Sequence, residues 1–220
     1  MSDADAARRP LYPMLLDVSE RLVVIIGAGN VAARKASGVI EAGAVHVRVV
    51  APEFRAAFPS NVEGVMETYR PAHLDGAGLI FAATDNLSIN DAVVRDARER
   101  GVMCCRADSD VDLPGDFVTP AQLVRGPVHV TVSAGSAALA ALLRDLIGEA
   151  WEENWTRMAE VMAEIRPKIV NDRRLSAENR RNVLRTLATR EALDILRSRG
   201  RDGLVNWLTS CHPEVHVTSS

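Results

Sequence analysis

Lysine is nearly missing from this 220-residue chain: Lys35 and Lys168 are the only two, and the other 24 of its 26 basic residues are arginines. Chemistry that needs several lysines is excluded, and any catalytic amine must be one of these two. Cysteine is scarce too. Cys104 and Cys105 are adjacent, where a disulfide would be strained, and neither they nor Cys211 show the CxxC spacing of a zinc or redox site. A cytoplasmic, reducing location is the expectation. Long apolar runs are absent. Residues 22–26 are five in a row, against the roughly 20 needed to cross a bilayer. The opening Met-Ser-Asp-Ala-Asp has neither the basic nor the apolar region of a signal peptide, so a soluble chain without membrane contact is expected. A net charge of −3 argues against nucleic-acid binding by bulk positive charge.

What is present is ordinary globular composition, 47% hydrophobic and 25% charged, which excludes wholesale disorder. Residues 1–10 read as a frayed tail closed by Pro10. Strand and helix signals then alternate. Residues 22–26 are wholly apolar and β-branched, as in a strand buried on both faces of a parallel sheet. A helical stretch over 30–42 stops at Gly43. Further strands are expected over 45–50, 65–68, 79–83 and 102–105. A helix over 88–100 is expected with Ser88 as its cap and Gly101 as its stop. This rhythm predicts an α/β fold with a doubly wound parallel sheet.

Beyond residue 110 the pattern changes. Strands are expected over 117–119 and 128–133, the second alternating with Val128, Val130 and Val132 on one face, then a helix over 136–149. Trp151, Trp155, Met158, Met162 and Ile165 predict a narrow helical seam, which Pro167 should end or kink. Another helix should run from 175 to about 198 and stop at Gly200, with a short one over 204–208. Three parts follow: a dinucleotide-binding domain over 1–112, a small strand/helix segment over 113–149, and a helical region over 150–220. The apolar seam and the alternating strand predict a homodimer.

The sharpest local signal is Gly27-Ala28-Gly29-Asn30-Val31-Ala32, which follows a buried strand and opens a helix. The first glycine permits a tight turn, the second lets a pyrophosphate approach the backbone, and a small third residue lets helix pack on strand. Helix N-terminal amides then face the phosphates. The next strand ends Ala51-Pro52-Glu53, so an acid stands slightly late for the ribose hydroxyls and NAD is favoured over NADP. Ala83-Thr84-Asp85-Asn86 follows the fourth strand at the edge where such sheets bind ligands, with Asn90 a helical turn later. Asp85 and Ser88 also suit helix capping there. Asp108, Asp110 and Asp112 form an acidic loop that lacks the central glycine and distal glutamate of a calcium loop. A carboxylate there suits a general base or a metal ligand, and equally a plain solvated loop. Eight basic residues from Arg166 to Arg190 are either a solvated face or an anion trap. A short-chain reductase is excluded, because neither Tyr12 nor Tyr69 has a lysine four residues on.

Taken together, RLVVIIGAGNVAARK, VRVVAPE, LIFAATDN with Asn90, CRAD, GDF with Pro120, RGP and VSAGSAALAALLR resemble the precorrin-2 dehydrogenase family, which includes the N-terminal part of siroheme synthases. The likeness covers residues 11–149 well and the rest loosely. It implies a Rossmann-type fold and NAD-dependent oxidation of precorrin-2, a tetrapyrrole, to sirohydrochlorin. Gly27, Gly29, Asn30, Val31, Pro52, Glu53, Ala83, Thr84, Asp85 and Asn90 are then the cofactor-side residues. Asp108 is the implied base, with Asp110 able to take that role in a lengthened loop, and Ser133 and Ser136 the substrate-side serines. No resident metal is implied. Some members also insert Fe²⁺, and the methyltransferase half of the larger enzymes is expected to be missing here. A non-catalytic NAD-sensing module is the competing reading.

Overall fold

The computed structural model describes residues 11–108 and 113–215, so the expected tail and Asp110 and Asp112 lie outside the described residues. The chain divides into two units, residues 1–119 and 120–220.

In the first unit β1 (Leu22–Ile26), β2 (His46–Val50), β3 (Glu63–Val65), β4 (Leu79–Ala82) and β5 (Cys104–Arg106) form one sheet in the order β3-β2-β1-β4-β5. Every pairing is parallel. Ile26 lies opposite Val50 on one side and Ala82 on the other, so the sheet's direction of growth reverses between β1 and β4. Open α/β sheets bind ligands at that switch point. Helices α1 (Asn30–Glu41) and α2 (Leu87–Glu99) cover opposite faces. Val23, Ile25, Val49 and Phe81 pack with Ala32 and Ala36 of α1; Val24, Ile26, Ile80 and Ala82 pack with Val93, Val94 and Ala97 of α2. β1 is apolar at every position because both its faces are buried.

Local departures from expectation have physical causes. α2 starts earlier than 88, because Asn86 caps it, its side-chain oxygen accepting from the Ser88 and Ile89 amides at 3.0 and 3.2 Å. The strand expected over 117–119 is a single parallel bridge, Phe117 to Cys105. The backbone just before it is held by the Asp116 amide on the Cys104 carbonyl at 2.7 Å. Phe117 also sits edge-on to Phe81 at 5.6 Å, so residues 113–119 pack with the first unit.

In the second unit β6 (Ala121–Arg125) and β7 (Val128–Val132) form an antiparallel hairpin, followed by α3 (Ala137–Glu149). β6 was not expected. Helices α4 (Glu153–Asn171), α5 (Ala177–Leu187) and α6 (Arg190–Cys211) enclose their own core of Val161, Ile165, Leu187, Leu196, Leu204 and Leu208. α4 runs through Pro167 instead of ending there. Its buried stripe is Thr156, Val161, Ile165 and Ile169, and that packing outweighs the lost amide. The expected seam therefore shifts, with Met158 and Met162 at its margin. The single helix expected over 175–198 is two, because Thr189 caps a new start, its hydroxyl accepting from the Ala192 amide at 3.2 Å. Gly200, at φ 66°, breaks the regular helix inside α6 where a stop was expected.

Candidate functional site

The carboxyl ends of β1 and β4 interlock. Gly27 has φ +112°, and a Cβ there would stand 2.3 Å from the Ala83 carbonyl oxygen. Only glycine satisfies both the backbone angle and the approach. Gly29 is the N-cap of α1, yet no side chain caps the helix, its first turn carries no acid, and a Cβ at Gly29 meets nothing within 4 Å. An uncapped helix start facing open space is what a pyrophosphate requires, so the cradle fits a dinucleotide. Asn30 and Val31 are exposed at its rim.

Pro52 and Glu53 are exposed just beyond β2. Arg55 returns to this turn: its amide donates to the Ala28 carbonyl at 3.0 Å, and its guanidinium lies 3.1 Å from Glu53 and 3.6 Å from Asp85. Two carboxylates thus face one arginine. That excess of negative charge suits ribose hydroxyls better than a 2′-phosphate.

After β4, the Thr84 amide donates to Asn90 Oδ1 at 3.2 Å, and Asn90 Nδ2 donates to the Thr84 carbonyl at 3.1 Å. Asn90 is fully buried, so its amide serves the protein's own turn. After β5, Asp108 is 18% exposed at its side chain, and Arg106 grips both its oxygens, Nε to Oδ1 at 2.7 Å and Nη2 to Oδ2 at 2.8 Å. Burial pushes the Asp108 carboxyl up, but hydrogen bonds from Arg106 and Asn90 outweigh it and hold it below the usual value. Asp108 is therefore ionised at neutral pH. The Asp108 carboxyl also keeps the Arg106 guanidinium protonated beyond its ordinary range.

Arg106 is the site residue that sequence reasoning passed over. A signal existed: an arginine in a strand of otherwise buried residues needs a buried partner, and an aspartate stands two residues on. Of the two lysines, Lys35 contacts the Thr119 hydroxyl and Lys168 pairs with Glu164 at 2.9 Å. Ser133 is exposed past β7, and Ser136 caps α3, its hydroxyl accepting from the Leu139 amide at 3.2 Å. In the basic stretch Arg174 pairs with Asp172, and Arg180 donates to two carbonyls. Arg166, Arg173, Arg181, Arg185 and Arg190 have no ion pair among the described residues. Also among the described residues, no helix is long and apolar enough to cross a membrane.

A doubly wound sheet with a glycine turn and an uncapped helix at its switch point defines an NAD(P)-binding domain, and a family model described as putative NAD(P)-binding matches residues 14–121. The siroheme synthase of Nitrosomonas eutropha is 37% identical over 166 residues, 72% of this chain and 34% of that one. The siroheme synthase of Photorhabdus laumondii is 33% identical over 177 residues, 77% of this chain and 37% of that one. The chain spans about a third of the length of these curated relatives. A solved structure titled SirC, precorrin-2 dehydrogenase, superposes with a TM-score of 0.69 at 18% identity, covering 91% of this chain and 100% of that one, which shows a shared fold. The chain belongs to the family that unites precorrin-2 dehydrogenases with the N-terminal part of siroheme synthases.

Proposed function

We propose that this chain oxidises precorrin-2 to sirohydrochlorin with NAD⁺, a step of siroheme (tetrapyrrole) biosynthesis. The observation that carries the reading is one sheet edge holding both an open phosphate cradle at Gly29 and an ionised carboxylate at Asp108. Gly27, Gly29, Asn30 and Val31 would hold the pyrophosphate, Pro52 and Glu53 the adenosine ribose, and Ala83, Thr84 and Asp85 the remainder. Bound NAD⁺ supplies a two-electron hydride acceptor. Loss of hydride leaves the macrocycle cationic, and its remaining proton is then acidic. A carboxylate held below the usual range is base enough to take that proton, so Asp108 acts as the general base.

Ser133, Ser136 and the unpaired arginines of 166–190 are proposed to meet the substrate's polar rim and carboxylates. In this reading residues 1–112 bind NAD, 113–149 dimerise and 150–220 form the helical region. A second copy would cover the apolar face of α3, where Leu139, Leu142 and Leu146 are 46%, 55% and 50% exposed. The three free thiols suit the cytoplasm.

The test is anaerobic turnover of precorrin-2 with NAD⁺, followed by absorbance, in the natural chain and in Asp108→Asn. Sirohydrochlorin should form, and Asp108→Asn should lose about 10²–10⁴-fold in kcat with NAD⁺ affinity unchanged. Tight NAD⁺ binding without turnover by the natural chain would overturn the reading in favour of a sensing module.

A further inference from the structure

The turns after β4 and β5 carry the two sides of the site, and one chain of buried side chains joins them. Asn90 uses its whole amide. Oδ1 accepts from the Thr84 amide at 3.2 Å and lies 2.7 Å from the Thr84 hydroxyl, while Nδ2 donates to the Thr84 carbonyl at 3.1 Å and, from the same α2 turn, favours the ionised form of the Asp108 carboxyl. Arg106, only 2% exposed at its side chain, uses all five of its N–H groups. Besides the fork on Asp108, it donates to Asp91, to the Leu113 carbonyl at 2.9 Å and to the Leu87 carbonyl at 3.4 Å. Asp91 and Leu87 belong to the first turns of α2, as does Asn90. The same Thr84 amide nitrogen stands 3.0 Å from where a Cβ on Gly27 would be, against the glycine turn.

A buried ion pair is a costly way to join two loops, since apolar side chains of similar volume often hold as well or better. Apolar side chains cannot hold a carboxylate ionised and aimed. Lysine cannot replace the fork either, because its ammonium donates from a single point. We propose that Arg106 and Asn90 are positioning residues of the reaction: through the start of α2 they fix the Asp108 carboxylate relative to Thr84, so that the group taking the proton and the turn bordering the cofactor cradle are held as one body. This rests on the dehydrogenase reading above. Its consequence is that the separation between hydride acceptor and proton acceptor is set by a protein network, where misplacement by about 1 Å is enough to cost roughly 100-fold in rate.

The test uses Arg106→Lys and Asn90→Ala in the full chain with NAD⁺ bound, read by steady-state kinetics against pH, by calorimetry with NAD⁺, and by carbon-13 titration of the Asp108 carboxyl. Arg106→Lys should lower kcat by about 30-fold or more while leaving KM and the NAD⁺ Kd within about 3-fold. Its acid limb and the Asp108 titration should both move to higher pH, because the fork that favours the ionised form is gone. Asn90→Ala should weaken NAD⁺ by about 10-fold and lower kcat together, because it frees both turns. An Arg106→Lys chain that loses stability and rate with an unmoved acid limb and an unmoved Asp108 titration would reduce the network to scaffolding and overturn the proposal. If Arg106→Lys does not fold, the joint loss in Asn90→Ala decides, and an effect on one side alone overturns it. If the natural chain turns over no precorrin-2, the dehydrogenase reading fails, while the Asp108 titration and calorimetry still judge the network.

Discussion

The sheet of residues 22–106 closes its own core, whereas the stretch 120–150 does not. In the sheet both faces are covered, by α1 with small alanines and by α2 with valines, and β1 has no exposed position. In the hairpin and α3 only Leu123 and Ala140 are buried, and α3 turns Leu139, Leu142, Leu143 and Leu146 outward. Both are rich in apolar residues. What separates them is whether the same chain supplies the covering layer. A closed core can place loops to within fractions of an ångström, as at Gly27 and Asn90. An open apolar face instead marks the surface where the proposed second copy would pack.

Gly27→Ala forces a side chain onto the Ala83 carbonyl at a positive φ, and should destabilise the first unit by about 3 kcal/mol or more in a denaturant titration. Gly29→Ala sharpens the point. Its Cβ meets nothing, so stability should stay within about 0.5 kcal/mol while NAD⁺ affinity falls by about 10-fold, because the methyl occupies the phosphate's space.

Next comes the open face. The pair Leu142→Asp and Leu146→Asp should shift sedimentation from dimer to monomer at micromolar concentration, raising the dimer Kd by about 100-fold, with a folded first unit and unaltered NAD⁺ binding. A natural chain that is already monomeric at that concentration would overturn the proposed dimer.

The smallest effect is electrostatic and belongs to the helices of the second unit. Hydrogen bonds from Arg201 and Lys168 lower the Glu164 carboxyl to about 2. Being lowered on folding, it adds stability that is complete above the ordinary glutamate range and is lost as pH falls from about 4.5 towards about 2. Glu164→Gln should flatten that part of the thermal-melting curve against pH. The change should be slight, since the pair is exposed and screened by salt.

Legibility followed locality. β1 and β4 could be read because a buried parallel strand is apolar at successive positions, and the glycine turn because its spacing is a backbone requirement. β6 could not, since of Ala121–Arg125 only Leu123 is buried and the strand exists through its pairing with β7. Pro167 does not end α4 for the converse reason: a local veto on helix is outweighed by the burial of Ile165 and Ile169 on either side. Among the candidate site residues, Asp108 was legible as a carboxylate at a strand end, but its state was not, because that depends on Arg106 and on Asn90 from another element.

Short-range features are fixed by residue order alone: a wholly apolar strand, glycines where a helix must start against a phosphate, and an acid at the end of β5. Folding alone turns Asn90 inward to Thr84 and the Asp108 side, gathers Asp108, Asp91 and two carbonyls around Arg106, and leaves an uncovered apolar face on α3. Hydrogen bonds and ion pairs between separate elements, like the covering of one face by another, come into being only once the parallel sheet sets β4, β5 and α2 side by side.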